Sequence, residues 1–352
     1  MMASGWRLMV SVAVCAAAAL FWTEGGSRGS SRKSFELLPT AEDGPRLFAE
    51  GTISTPDDEA GGAFSPDGNE FYFTKLNPTT TFPRISMLCV SHWRGGKWGV
   101  PEVLPFSGIN LDFPARLSPD GKTLYFSSSR PVPGSDAHGF AIWKVAKTES
   151  GWGTPDALPE PVNLRDGHSS WGPSVTRDGT LYFASDRDPS GRSQIYRAKW
   201  SGEKYETPEK LGAEVNSEFN DSEPFVSADE SLLFFLSSGE EVPPFRHRPD
   251  TLYTGGFPYA RGDIYVSKRV QGNWGKAEHL GRGVNSVADE GPPALTPDGK
   301  FLIFSSYRSP FTVPVAERLS MAELEKNLHA TLNGEGNIYS IPLKALGLDA
   351  PK

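Results

Sequence analysis

Four acidic residues occupy one fixed place in a repeated segment. Glu59, Asp112, Asp221 and Glu290 each lie six residues before the Ser or Thr that opens a turn, and Ser170 fills that place in a fifth copy. Arg130 and Arg308 follow the same Ser or Thr by twelve residues, and Arg187 is equivalent after a one-residue deletion. A guanidinium fork matches a carboxylate with two parallel hydrogen bonds, so one chemistry is an acid–arginine lock repeated blade after blade, joining neighbours. A second is an anionic ring that binds a cation, a sugar or a basic peptide. Two carboxyl groups about 5–5.5 Å or about 6.5–9.5 Å apart also serve glycoside hydrolysis. Carboxylates in register with arginines are expected to stay ionised rather than act as acids. The residue types leave these readings open.

Other candidates stand outside the repeat. His168 lies beside Ser170 and Trp171, and His138 and His247 fall in comparable connections. Loop position does not show ligands converging on one ion, and no His-x-x-x-His pair exists, so no metal site is expected. Trp171 and Phe257-Pro258-Tyr259 are candidates for stacking on a sugar or peptide. The repeats contain no Gly-x-Ser-x-Gly elbow, and the sequence has no Gly-x-x-x-x-Gly-Lys loop and no His-Glu-x-x-His pair. No catalytic residue and no cofactor is assigned. The ligand-binding candidates are Glu59, Asp112, His168, Ser170, Trp171, Asp221, Glu290, Arg130, Arg187 and Arg308.

The elements that must position these residues come from the repeat. Ser65-Pro66-Asp67-Gly68, Ser118-Pro119-Asp120-Gly121, Thr176-Arg177-Asp178-Gly179, Ser227-Ala228-Asp229-Glu230 and Thr296-Pro297-Asp298-Gly299 are tight-turn sequences. Each leads into an aromatic-rich strand such as Phe71-Tyr72-Phe73 or Leu124-Tyr125-Phe126, and then into a strand of the Asp263-Ile264-Tyr265 kind. The turn aspartates are 53, 58, 51 and 69 residues apart. Gly-x-Trp turns and a short final strand complete four strands per copy. Four antiparallel strands per repeat make a propeller blade. The expected fold is all-β: a single five-bladed β-propeller. The fifth copy lacks its last strand, and Pro45-Arg46-Leu47-Phe48 supplies one, so the N-terminal strand is expected to complete the last blade. Closure removes open sheet edges. Insertions fall on the face opposite the Asp turns, which marks that face for binding. One carries a helix, with Ser320 and Glu323 at capping-box spacing and a Met321, Leu324, Leu328 stripe expected to pack on blade five.

These motifs resemble the WD-repeat-like propeller repeats of the TolB type, over about residues 45–343. The resemblance implies an exported bacterial protein that binds envelope or extracellular components. The chain departs from TolB itself, with five repeats rather than six and no N-terminal α/β domain. Some five-bladed propellers are glycosidases with carboxylates at the channel mouth.

The domain reading is a signal peptide or uncleaved anchor at 1–22, a flexible linker at 23–44, the propeller at 45–348 with its helical insertion at about 315–332, and a tail at 349–352. The 352 residues carry 43 Asp and Glu against 35 Lys and Arg, a net charge of −8 that offers nucleic acid no basic footprint. The expected function is an exported, non-catalytic module, periplasmic or secreted, that recognises an envelope or extracellular protein or glycan on its loop-rich face. Membrane contact is expected only through an uncleaved N-terminal segment. The alternatives are a channel-mouth carboxylate enzyme such as a glycoside hydrolase, and a scaffold that binds through its blade edges.

Overall fold

Each Asp turn joins the inner strand of a blade to its second strand. In each, the Ser or Thr hydroxyl donates to the Asp two residues on, at 2.6 Å for Ser65–Asp67 and Ser118–Asp120 and 2.7 Å for Ser227–Asp229 and Thr296–Asp298. The next position has a left-handed backbone, with φ between 68° and 88° at Gly68, Gly121, Gly179 and Gly299. Glu230 takes that conformation in the fourth copy with φ 55°.

The computed structural model describes residues 44–77, 85–135, 139–239, 262–309 and 318–352. The segment 1–22 read as a signal peptide or anchor, His138, His247 and Phe257-Pro258-Tyr259 lie outside them. The described strands form five antiparallel sheets, one per repeat. Their inner strands are Asp58–Phe64, Asp112–Leu117, Ser170–Val175, Asp221–Val226 and the shorter Ala294–Leu295. In blades one, two and four the outermost strand breaks into two short pieces along the long third strand.

Closure follows the expectation. Arg46–Leu47 pairs antiparallel with Asn337–Pro342, the third strand of blade five, with Leu47 opposite Tyr339. Phe48 then enters the core of blade one, its ring 4.7 Å from Phe71 and 5.6 Å from Phe64. Burying such an aromatic side chain contributes about 1.5–3 kcal/mol, so the seam between the first and last blades is held by packing as well as by strand pairing.

Two further repeated devices join the blades. The backbone N–H of Glu59, Ser170, Asp221 and Glu290 donates to the carbonyl at the start of the preceding blade's third strand, namely Gly336, Phe140, Ser193 and Gly262 at 2.7–3.1 Å. Asn163, Asn216 and Asn285, in the connections between blades, accept from the N–H of Ile142, Ile195 and Ile264 at 2.7–2.9 Å. The sequence reading missed these asparagines. Ser107 makes the equivalent bond to Leu88, and Ser54 to Ile338.

Every inner strand carries a one-residue register shift. It falls between Ala60 and Ala63, Phe113 and Arg116, Trp171 and Ser174, and Ser222 and Phe225. In blade five it falls between Glu290, opposite Ser306, and Ala294, opposite Ile303. A bulge bends the strand and re-aims its side chains. Here the bulges converge: a Cβ on Gly61 would meet Pro114 at 2.9 Å and Pro292 at 3.8 Å, so three blades touch at this level.

The helix Met321–Leu328 has the expected capping box, with Ser320 accepting from the Glu323 N–H. The expected packing against blade five is corrected: none of its residues is buried, with Met321 68% and Leu328 58% exposed. Its eight residues form one short amphipathic turn set whose apolar stripe faces out.

Candidate functional site

The inner strands deliver Glu59, Asp112, Ser170 and Asp221 to one end of the ring, Glu290 takes the equivalent place through an isolated bridge to Ser306, and all five are buried. Asp112 is fully clamped. Arg130 Nη2 donates to both of its oxygens at 2.8 and 2.9 Å, and the Ser107 and Ser128 hydroxyls each donate at 2.6 Å. Arg130 also stacks over Phe126 at 4.9 Å and Trp143 at 5.3 Å. In blade three Ser170 replaces the acid, and Arg187 turns to the carbonyls of Pro161 and Val162 while keeping a 3.0 Å bond to Ser170 Oγ. These arginines fasten the connection that enters their own blade to its second strand. The expected lock between neighbouring blades is therefore corrected; the backbone bonds described above join the blades instead.

Glu290 is held differently. Ser286, Ser306 and Arg308 donate to Oε1 at 2.7, 3.0 and 3.3 Å, while Oε2 has no hydrogen-bond partner among the described residues. Glu59 accepts from the Thr55 N–H at 2.9 Å, from Asn337 Nδ2 at 3.3 Å, and from Lys75 at 3.4 Å. Asp221 has no arginine and accepts from the N–H and hydroxyl of Ser217 at 2.6 and 2.9 Å.

Burial pushes Glu290 up to about 7, against the opposing bonds from Ser286 and the charge of Arg308. Burial also raises Glu59 to about 7, against its bonds from Thr55 and the charge of Lys75. Asp221 is raised in the same sense by burial. The expectation that arginine pairing keeps these acids ionised is therefore corrected at Glu290: desolvation outweighs a single long contact.

Among the described residues His168 bonds within its own loop, with Nδ1 2.9 Å from Asp166. Trp171 is 3% exposed and packed into the inner strand rather than presented as a platform. Among the described residues no group of three or more His, Cys, Asp or Glu could hold a metal.

Two residues that the sequence reading passed over sit at the bulges. Arg116 reaches from blade two to the carbonyls of Gly62 in blade one (3.0 Å) and Pro293 in blade five (2.7 Å), and its Nε lacks a partner. Burial lowers its pKa to about 10. Glu223, in blade four, is 1% exposed, has a left-handed φ of 50°, and finds no hydrogen bond for either oxygen. Burial raises it to about 7 while the charge of Arg116 pulls the other way. The signal was present in the repeat. Four residues before each turn stand Gly61, Pro114, Gly172 and Pro292, and Glu223 is the exception; two before stand Ala63, Ser174, Phe225 and Ala294, and Arg116 is the exception.

No family model matches the chain, and no curated protein matches it. The fold is similar to solved propellers. One is a GH43 endo-arabinanase from Bacillus licheniformis, 11% identical with a TM-score of 0.45, covering 83% of this chain and 96% of that one. Another is a gluconolactonase from Xanthomonas campestris, 10% identical with a TM-score of 0.41, covering 74% and 91%. A third is a puromycin-hydrolyzing peptidase from Mycobacterium tuberculosis, 12% identical with a TM-score of 0.38, of which this chain covers 41% while 80% of this chain is matched. The likeness is one of architecture. The expectation of a non-catalytic binding module is corrected: the solved propellers similar to this chain are an endo-arabinanase, a gluconolactonase and a peptidase, and at 10–12% identity that likeness reaches the fold alone. What the chain is shown to be is a five-bladed, all-β propeller.

Proposed function

We propose that the chain is a carboxylate-dependent hydrolase acting on a glycosidic bond at the axial mouth. The observation that carries this reading is Glu290, a buried carboxyl with one oxygen held by three donors and the other without a partner. A carboxyl group near neutrality is partly protonated at pH 7, as a general acid requires. Glu290 gives its proton to the leaving oxygen as the C–O bond breaks and that oxygen takes the bonding pair. Glu59, in the adjoining blade, is the second carboxylate and accepts the proton of the attacking water. Arg308, 3.3 Å from Glu290 Oε1, favours the carboxylate left after proton transfer. Export through the N-terminal segment belongs to the same proposal, as does the placing of these repeats with the TolB type.

The test is turnover of nitrophenyl glycosides and of arabino-, xylo- and galacto-oligosaccharides by the full chain. Glu290→Gln keeps the shape of the side chain and removes the proton, so kcat is expected to fall by roughly 10²–10⁴ with little change in KM. Absence of turnover across the panel, or wild-type kcat in Glu290→Gln, overturns the reading.

A further inference from the structure

The bulge ring presents an unmet set of hydrogen-bonding groups whose chemistry is specific. Arg116 has both terminal nitrogens committed to the carbonyls of Gly62 and Pro293, leaving Nε as a buried donor. Glu223 offers two buried acceptor oxygens. Both side chains are at least nine-tenths buried. A buried polar group without a hydrogen-bond partner destabilises the fold. A non-glycine residue held at left-handed φ adds backbone strain. Glu223 carries both costs at a position where blades one and three use glycine.

The unmet set selects its ligand. A metal cation is disfavoured by the fixed guanidinium charge. A carboxylate or phosphate is disfavoured by Glu223, and the guanidinium fork that would clamp it is already bonded to carbonyls. A neutral hydroxyl group satisfies both sides: its oxygen accepts from Arg116 Nε and its proton is donated to Glu223. The bulge lies two residues along the inner strands from the ring of Glu59 and Glu290, roughly 6–7 Å at the rise of a strand.

We propose that Arg116 and Glu223 form a hydroxyl-recognising floor to the axial site, which takes a hydroxyl of a neutral carbohydrate. The choice of carbohydrate over other hydroxyl compounds rests on the hydrolase reading above. The repeat itself supplies the control variant. Arg116→Ala restores the residue found in blades one and five, and Glu223→Gly that found in blades one and three. The double variant therefore removes both charges together and leaves neither buried alone.

The experiment is a thermal-shift titration of the full chain with L-arabinose, D-xylose, D-galactose and D-glucose, with sodium acetate and calcium chloride as charged controls. At least one sugar is expected to raise the wild-type Tm in a saturable way, and the salts are not. The double variant is expected to bind that sugar at least tenfold more weakly. Saturable stabilisation by none of the sugars, by acetate or calcium alone, or by a sugar equally in the double variant, overturns the floor. If the double variant does not fold, Glu223→Gln replaces it with the same tenfold expectation, and unchanged affinity overturns the floor. Glu290→Gln separates the two proposals. A sugar shift that survives there while turnover is lost supports both. Wild-type turnover in Glu290→Gln together with a lost shift in the double variant rejects the hydrolase reading and keeps the floor.

Discussion

The ring of Asp turns and the ring of axial bulges each contain five equivalent positions, and they use them differently. At the turns, every blade makes the same hydroxyl-to-Asp bond. At the bulges, four blades place Gly or Pro, and one places a buried glutamate that faces the charge of a buried arginine. A solution repeated in all blades is sufficiently explained by the architecture. A departure that carries a charge inward, against strain and desolvation, needs a different cause. The acid positions fall between these cases: Asp112 is satisfied on both oxygens and Glu290 on one.

The largest expected effect tests the satisfied end of that range. Arg130→Ala removes the donor to both oxygens of Asp112 and uncovers Phe126 and Trp143. Breaking a buried charge pair by deleting one partner costs about 3–5 kcal/mol. Arg308→Ala should cost less than half as much, because Glu290 can take a proton instead. Denaturant midpoints of the two variants measure the difference, and equal losses would place Glu290 with Asp112 as a purely structural acid.

Next comes the bulge itself. Gly172 has φ 60°, and a Cβ there would stand 3.0 Å from Glu223 Cα and 3.1 Å from Glu223 Oε2. Gly172→Ala is expected to destabilise by about 1–3 kcal/mol, through strain and crowding together. A loss below about 0.5 kcal/mol would mean that the bulge yields, and that the placement of Glu223 is soft.

The sequence made the fold legible because the fold is periodic. Five Asp turns, aromatic second strands and a missing last strand determine the blade count and the closure, and the structure follows them. The acid and arginine positions were legible for the same reason, but their state was not. Whether Glu290 is ionised depends on how deeply its carboxyl is buried and on Arg308 meeting one oxygen at 3.3 Å, where Arg130 meets both oxygens of Asp112. Spacing carries neither quantity. Glu223 and Arg116 are not legible from what recurs, because these residues are informative by not recurring. The helix at Met321 shows the converse. Its apolar stripe is plain in the sequence, yet the chain leaves it uncovered.

A smaller effect is a slope. Glu290, Glu59 and Glu223 each have a folded pKa of about 7 against an ordinary value of 4.5. Between those values the folded chain binds more protons than the unfolded one, so stability is fully present below about pH 4.5 and is lost as pH rises through about 7. The Tm is expected to fall from pH 5 to pH 7.5. Replacing Glu290 by Gln should flatten the slope by that residue's share. A Tm that instead rises over this range would show that these carboxyls are ionised in the folded chain.

The smallest effect lies at the one turn that breaks its own rule. Glu230 stands where the other blades have Gly and takes φ 55°. Unlike Glu223 it has partners: the Tyr182 hydroxyl donates to Oε1 at 2.8 Å, and Arg269 pairs with Oε2. Glu230→Gly relieves left-handed strain of about 1–3 kcal/mol, and against this it frees the unfolded chain by about 0.4–1 kcal/mol and gives up a hydrogen bond of about 1 kcal/mol and a partly exposed ion pair of at most about that size. The terms nearly cancel, so the change in stability should be within about 1 kcal/mol, on the destabilising side. In a Tyr182→Phe background the hydrogen bond is already gone, and the same substitution should move towards stabilisation. A cycle in which the two changes simply add would mean that the tyrosine contributes nothing to holding Glu230. This partnered glutamate would then be as unexplained by its contacts as Glu223, and a departure from the repeat would no longer distinguish a site from an accident of one turn.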